Sequence, residues 1–348
     1  MGIFFEKRIR PVLCGLLIMT IICLTGCSVS YEDYSAAGTV MGTVFSAGFR
    51  ANGKGSGEAV WKKLTDDGAR LEQEILSRRI DSSEIAALNA SAGNEEGFEV
   101  SPELEYYLRF CISVSEESGG AFDITVGALS RLWSIDEAAL NPGSFVLPSQ
   151  EDIEQASANI GYTKMRIDNH RVYIPEGMSI DLGAVGKGIY LDDALEILQE
   201  NCTYGVISAG GSILTCGYRA GGDKWKIGIA NPDGGSEVVA TLLVEGNAFI
   251  STSGDYERFV EYENVRYHHI LDPRTGYPAD SGLCSVSVVV PGDIEDGGLL
   301  SDALTTAIFV LGEAEGMKLA ESYGAGVLLV RNDGTVAVSD IMKKYTVQ

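Results

Sequence analysis

A chain of 348 residues with 45% hydrophobic and 22% charged content holds ample material for a packed core, either as one large domain or as two of ordinary size. Its 49 acidic side chains outnumber its 26 lysines and arginines, and the net charge of −23 argues against nucleic acid or an anionic bilayer surface as the main partner. Any phosphate-bearing ligand must therefore be attracted by local donors or a metal, not by the overall field.

The first segment reads as a targeting signal. Lys7, Arg8 and Arg10 precede an apolar run over residues 12–24, too short to span a bilayer as a helix but suited to a signal peptide. Leu24-Thr25-Gly26-Cys27 looks like a bacterial lipobox, with small residues before a cysteine that is diacylated and becomes the new N-terminus. An ordinary signal peptide cut nearby, or an uncleaved anchor, are the other readings. The expected organisation is a signal peptide over 1–26, a lipidated Cys27 with a polar tether to residue 36, and a folded domain over 37–348. A protein built this way is held by its acyl chains at the extracytoplasmic face of the cell membrane. Of the remaining cysteines, Cys111, Cys202, Cys216 and Cys284 are widely spaced and form no CxxC pair, which speaks against a zinc site or redox dithiol. Structural disulfides and buried free thiols both remain open.

Along the domain, alternation over residues 39–45 predicts a strand, and Val60, Leu64, Ala69, Leu71 and Ile75 recur at helical spacing. A short helix follows that Ser82 or Ser83 could cap, then one behind Ser101-Pro102 that runs to about residue 117, where Gly119-Gly120 breaks it. The second half is richer in strands. MRIDNHRVYI predicts a hairpin turning at Asp168-Asn169, and residues 179–185 predict a strand feeding a glycine-rich turn and a helix over 187–200. Strand patterns recur over 205–208, 225–230, 238–244, 247–251 and 284–290, and a hairpin arrives from Phe259. A helix over 301–311 and a closing strand pair around Asn332-Asp333-Gly334 complete the chain. Strands and helices mix without strict βαβ alternation, so the fold class is α+β: one unit of mixed, largely antiparallel sheets with flanking helices.

Four stretches carry chemistry. HHILDPRTGYP, residues 268–278, crowds an imidazole, a carboxylate and a guanidinium onto a strand end, although a polar hairpin with a Pro/Gly turn would look the same. Strand alternation points His268 and His269 to opposite faces, one toward the turn and the other solvated. DLGAVGKG, residues 181–188, offers helix amides and a lysine as a phosphate cradle, yet it fails the Walker pattern, and a tight strand-to-helix turn with a solvated lysine is the alternative. Asp302 and Thr306 stand four apart and share a helix side, a pairing that suits a hard cation such as Mg²⁺; Asp302 could equally be a favourable charge in a first helical turn. ISAGGSI, residues 207–213, has paired glycines that let a backbone approach a ligand, or merely a bulge. No Ser-His-Asp order or HExxH motif is present.

Taken in order, MGT (41–43), SSEIAALN (82–89), GGAFD (119–123), DLGAVGKG, SAGGS (208–212), STSGDYER (251–258), HILDPRTGYP (269–278) and SDALTTA (301–307) resemble the ApbE family of FAD:protein FMN transferases. The resemblance implies Mg²⁺-dependent splitting of FAD at its pyrophosphate and joining of FMN to a Thr or Ser hydroxyl of a target flavoprotein, with release of AMP. The target it implies is a membrane electron-transfer flavoprotein or an extracytoplasmic FMN-binding domain. It also implies metal ligation by Ala184 through its carbonyl, by Asp302 and by Thr306. Met41, Ala121, Phe122, Asp123, Asp181, Lys187 and Asp272 are implied to bind FAD, with His269 and Asp302 as the catalytic groups. Arg78 stands where an aromatic is usual, and Ser212 where an acid or amide is. An FAD pyrophosphatase that uses water, and a non-catalytic FAD-binding lipoprotein, are the rival readings.

Overall fold

The computed structural model describes residues 31–53, 56–235 and 237–347; the signal segment and Cys27 lie outside the described residues. Strands β1 (Glu32–Val40) and β2 (Thr43–Ala51) pair antiparallel along their whole lengths. Met41 and Gly42 turn the chain between them at φ of 47° and 67°. The one strand expected over 39–45 is therefore two, because a left-handed residue pair reverses the chain where period-2 alternation continues across it. The tether boundary also moves. Residues 32–36 belong to the sheet, where Tyr34 stacks on Phe49 at 5.5 Å and the Glu32 carboxylate accepts the Gly57 N–H at 2.8 Å.

Helix α1 (Gly57–Arg70) starts at Ser56, whose hydroxyl accepts the Ala59 N–H, and runs on as a wider π turn through Leu76. Val60, Leu64, Leu71 and Ile75 are all buried, as their spacing predicts. Helix α2 (Glu84–Ala90) is capped by Ser83, and α3 (Pro102–Glu117) by Ser101 with proline in its first turn. A small sheet of β3 (Phe98–Glu99), β4 (Arg166–Asp168) and β5 (Arg171–Tyr173) crosses this region. Its hairpin turns at Asn169-His170, with φ of 48° and 63°, and not at Asp168-Asn169. Helices α4 (Gly127–Trp133), α5 (Ile135–Leu140) and α6 (Gln150–Ser157) surround a satellite core built on Leu129, Trp133, Ile135 and Ile153.

Residues 179–185 are not a strand. The Asn89 side chain binds both the N–H (2.6 Å) and the carbonyl (2.9 Å) of Ile180, so a side chain takes the groups a ladder would use. A single parallel bridge, Val126 to Ser179, remains. Helix α7 (Gly186–Asn201) follows and leads into β6 (Cys202–Ala209), which pairs with β2 and with β7 (Ser212–Cys216).

Strands β8 (Trp225–Ala230) and β9 (Val238–Val244) form a second sheet, β10 (Ala248–Gly254) returns to the first, and β11 (Phe259–Tyr262) and β12 (Val265–His268) form the expected hairpin. After β13 (Leu283–Pro291) come α8 (Gly297–Leu311), α9 (Glu313–Ser322), β14 (Gly326–Arg331), β15 (Val336–Val338) and β16 (Thr346–Val347). The main sheet runs β1-β2-β6-β7-β10-β13-β14-β15, antiparallel throughout, and β16-β9-β8 packs beside it. Both faces of the central strands are covered. Val288 and Val290 join the large core that holds α7 and α8, while Val289 joins the core under Trp225 and Leu242. The fold is α+β. Helix α8 begins at Gly297 and not at Ser301, so Asp302 lies in its second turn and is buried. Cys111, Cys202, Cys216 and Cys284 are all free thiols. Among the described residues no helix is long and apolar enough to cross a membrane.

A chain that starts at Tyr31 keeps all of β1, whereas one that starts at Ala37 loses the Tyr34 stack and the Glu32 contact. We expect the shorter form to melt at least about 4 °C lower, since ~1 kcal/mol moves a protein of this size by roughly 2–4 °C. Equal melting temperatures, read by circular dichroism, would return residues 32–36 to the tether.

Candidate active site

A cavity of about 630 Å³ opens between the β1–β2 turn, the start of α7, the Gly210-Gly211 turn, the segment after β12 and α8. Met41, Ala121, Phe122, Asp123, Asp181, Ala184, Lys187, His269, Asp302 and Thr306 all line it. Residues read from five separate stretches of sequence thus face one space.

One wall is made by two helices. No side chain caps the start of α7; instead its Gly188 N–H is donated to Asp302 Oδ2 at 2.8 Å. Asp302 Oδ1 accepts from the Ser212 hydroxyl at 2.7 Å, and Lys187 Nζ stands 3.8 Å from Oδ2. The Asp302 carboxylate is therefore 3% exposed yet fully compensated, and it is not a solvated acid of a first turn. Its loss would leave the Gly188 N–H and the Ser212 hydroxyl unpaired, at about 1–3 kcal/mol for each. Thr306 lies one turn further along α8, and Ala184 sits in the turn that precedes α7. Glu257 lines the same space, where burial raises its carboxyl above the usual range against the pull of Lys187 and Arg258.

A second wall carries His269. Its Nδ1 lies 3.2 Å from the Arg258 carbonyl, so the ring proton is assigned to Nδ1 and the lone pair to Nε2. Burial, helped by the Arg258 charge, pushes the imidazole down to about 3 although Asp136 pulls the other way. The ring is therefore neutral across the ordinary pH range, and a weaker base than a free imidazole. Asp136 bridges Arg79 at 2.9 Å and Arg258 at 2.8 Å; burial would raise its carboxyl, but the two guanidinium groups hold it below the usual range.

The remaining predicted residues divide. Phe122 and Ala121 are buried in the wall. Asp123 has both oxygens engaged, accepting from Thr125 N–H (2.8 Å), Thr125 Oγ1 (2.7 Å) and Tyr162 N–H (2.9 Å), so its carboxylate holds the wall together. Asp181 accepts the Gly183 N–H at 3.0 Å and pairs with Arg78 Nε at 2.8 Å.

Two expectations are corrected. Asp272 does not line the cavity: it is 8% exposed, and both of its oxygens bind the Arg274 guanidinium, at 2.9 and 2.8 Å. It staples the Pro273 turn. His268 is not solvated either. Alternation does turn it away from His269, but that face is covered, and its ring is 6% exposed, edge-on to Phe309, with Nε2 3.0 Å from the Ala279 carbonyl. Sequence reasoning missed Asp136, which belongs to no motif and reaches the site only because α5 packs beside β11. It also left Glu257 unassigned inside a quoted motif.

A cavity that gathers a lysine–carboxylate pair, a helix start and a neutral imidazole is the build of an enzyme active site. The comparisons give its class. The model described as "ApbE family" matches residues 41–329. The chain is 32% identical over 330 residues to a FAD:protein FMN transferase of Treponema pallidum, covering 88% of this chain and 87% of that protein. It is 29% identical over 334 residues to one of Vibrio cholerae, covering 94% and 95%. The crystal structure of the ApbE protein of Thermotoga maritima superposes with a TM-score of 0.79 at 31% identity, over 91% of this chain and 100% of that one. This chain belongs to the ApbE family.

The shielded imidazole gives a direct test. A histidine whose folded value lies below its unfolded one contributes stability that is present above pH ~6.5 and is lost as pH falls toward the folded value. In an NMR titration the His269 ring should stay in its neutral state down to about pH 4. A midpoint near 6.5 would mean that the ring is open to water.

Proposed function

We propose that this chain transfers FMN from FAD to a threonine or serine hydroxyl of a target protein and releases AMP. The observation that supports it is the single cavity in which Lys187, the start of α7, Asp302 and a neutral His269 meet, in a chain of this family. The new bond joins the acceptor oxygen to the FMN phosphorus, and the bond from that phosphorus to the bridging oxygen breaks. The hydroxyl proton passes to His269 Nε2, and the AMP phosphate leaves with the electron pair. Lys187 and the α7 amides receive phosphate charge, which answers how a chain of net charge −23 binds an anionic dinucleotide.

Mg²⁺ fits the donors of this wall. Asp302, the Thr306 hydroxyl and the Ala184 carbonyl are hard oxygens, and such ions are commonly held by one or two carboxylates with phosphates and water. Among the described residues no group of three or more His, Cys, Asp or Glu could hold a metal by itself, which suits a site completed by substrate oxygens. When bound, the ion would neutralise pyrophosphate charge.

The lipobox at Cys27 supports anchoring at the extracytoplasmic face of the membrane, beside membrane electron-transfer flavoproteins or FMN-binding domains as targets. The Cys27→Ala protein should carry no lipid and leave the membrane fraction; recovery of a lipidated form would reject Cys27 as the acyl site.

The function is tested by mixing the protein with FAD, Mg²⁺ and a candidate target domain, followed by in-gel flavin fluorescence. Flavin that survives denaturation on the target means transfer. Free FMN and AMP would make the enzyme a pyrophosphatase, and intact FAD a binding protein. His269→Ala should lower the transfer rate by roughly 10²–10⁴-fold while FAD affinity changes little. An unchanged rate would remove His269 from the chemistry.

A further inference from the structure

Helix α8 is buried along almost its whole length, yet one side of it is not apolar. Ser301, Asp302 and Thr305 are 0%, 3% and 1% exposed and face the main sheet. Each meets a hydroxyl from a strand. Ser251 Oγ of β10 lies 2.7 Å from Ser301 Oγ, Ser253 Oγ of β10 donates to Thr305 Oγ1 at 2.9 Å, and Ser212 Oγ of β7 donates to Asp302 Oδ1 at 2.7 Å. Ser251 and Ser253 are alternate residues of one strand, so they project from the same face, and the β7–β10 register sets Ser212 directly beside Ser251.

An apolar helix on an apolar sheet has little to fix its rotation, because hydrophobic contact is non-directional. Three directional bonds, at Ser301, Asp302 and Thr305, remove that freedom. Ser301 and Thr305 also bond within the helix, to the Gly298 and Asp302 carbonyls at 2.8 Å each, so the seam is satisfied on both sides. Only one of the three strand hydroxyls touches the carboxylate that faces the cavity.

We propose that Ser212 is a positioning residue for the Asp302 carboxylate. The inference rests on Asp302 being a metal ligand, as proposed above. With the Gly188 N–H on Oδ2 and the Ser212 hydroxyl on Oδ1, the carboxylate plane is fixed from both sides, which leaves the remaining lone pairs at defined directions. Hydrogen bonds to the outer side of a ligand carboxylate commonly carry about 10–100-fold in metal affinity. Ser212 can do this because the Gly210-Gly211 turn starts β7 at the cavity edge.

The test compares Ser212→Ala with Ser251→Ala. Both remove a fully buried hydroxyl of the same seam, but only the first touches Asp302. Two readouts are taken on each purified protein: the Mg²⁺ concentration that gives half-maximal FAD cleavage, and Mg²⁺ affinity by calorimetry with ADP present as a pyrophosphate that carries no flavin. We expect Ser212→Ala to need at least tenfold more Mg²⁺ in both, with kcat at saturating Mg²⁺ reduced far less. Ser251→Ala should lose comparable thermal stability and keep the parental Mg²⁺ dependence. Ser212→Thr, which keeps the hydroxyl, should recover most of the affinity. If Ser212→Ala does not fold, Ser212→Cys replaces the hydroxyl with a weak donor of similar shape, and the same shift is expected. Parental Mg²⁺ dependence in the Ser212 variants, or an equal shift in Ser251→Ala, overturns the positioning role. A parental protein that neither cleaves FAD nor takes up Mg²⁺ overturns the functional reading beneath it.

Discussion

The contact on which the site depends is the meeting of α7 and α8 backbone to backbone. A Cβ on Gly188 would stand 2.2 Å from the Gly298 carbonyl oxygen, and one on Gly298 would stand 2.3 Å from that of Gly188. No side chain fits at either position. The crossing is pinned by Asp192 of α7, whose carboxylate accepts the N–H groups of Gly298 and Leu299 at 2.8 Å each and so serves as the cap that α8 lacks on its own N-terminal side. Because the helices touch there, the first turn of α7 comes within hydrogen-bond reach of the second turn of α8. Gly188 N–H then finds Asp302, and Lys187 stands over the same carboxylate. Moving the helices apart by the width of a methyl group would break both links.

The charge distribution follows the same logic of local compensation. Four aspartates that face the cavity are each matched by donors or cations of their own, while Glu257 feels Lys187 and Arg258 only at longer range. Asp181 has Arg78, Asp302 has Lys187 with two hydrogen bonds, and Asp136 has Arg79 and Arg258. Asp123 spends its charge on two amides and a hydroxyl. Charges paired at 3–4 Å in a partly buried site interact more strongly than distant surface charges, which are screened by salt beyond about 10 Å. A strongly acidic chain can therefore pair most of the acids of its cavity, where Lys187 and a helix start are left to meet phosphate.

Much of this was legible in sequence, and the rest was hidden for identifiable reasons. Local rules worked where one element decides the outcome: the Ser83 and Ser101 caps, the burial of Val60, Leu64 and Leu71, and the hairpin that arrives from Phe259. They failed where a distant side chain decides it. Residues 179–185 alternate like a strand, but Asn89 takes the hydrogen bonds of Ile180. Met41-Gly42 interrupts an alternation that reads as continuous, and the two-residue turn shifts the buried set from Val40 to Phe45, Ala47 and Phe49. Candidate site residues were legible as motifs, whereas Asp136 was not, because an ordinary acid in a short helix becomes part of a site only through tertiary packing. Asp272 misled for the opposite reason: a carboxylate two residues from an arginine in a Pro/Gly turn satisfies its own loop.

The surroundings of His269 set its protonation state. Trp133, Ile135 and Leu271 line the same cavity and belong to the satellite core behind it. Burial removes solvation from the imidazolium form, and the Arg258 charge disfavours it further while Asp136 acts the other way, so the ring stays neutral. A neutral ring whose proton sits on Nδ1 against the Arg258 carbonyl keeps its Nε2 lone pair free for the role proposed above. The same burial makes it a weaker base, so its contribution rests on where the lone pair points more than on intrinsic basicity.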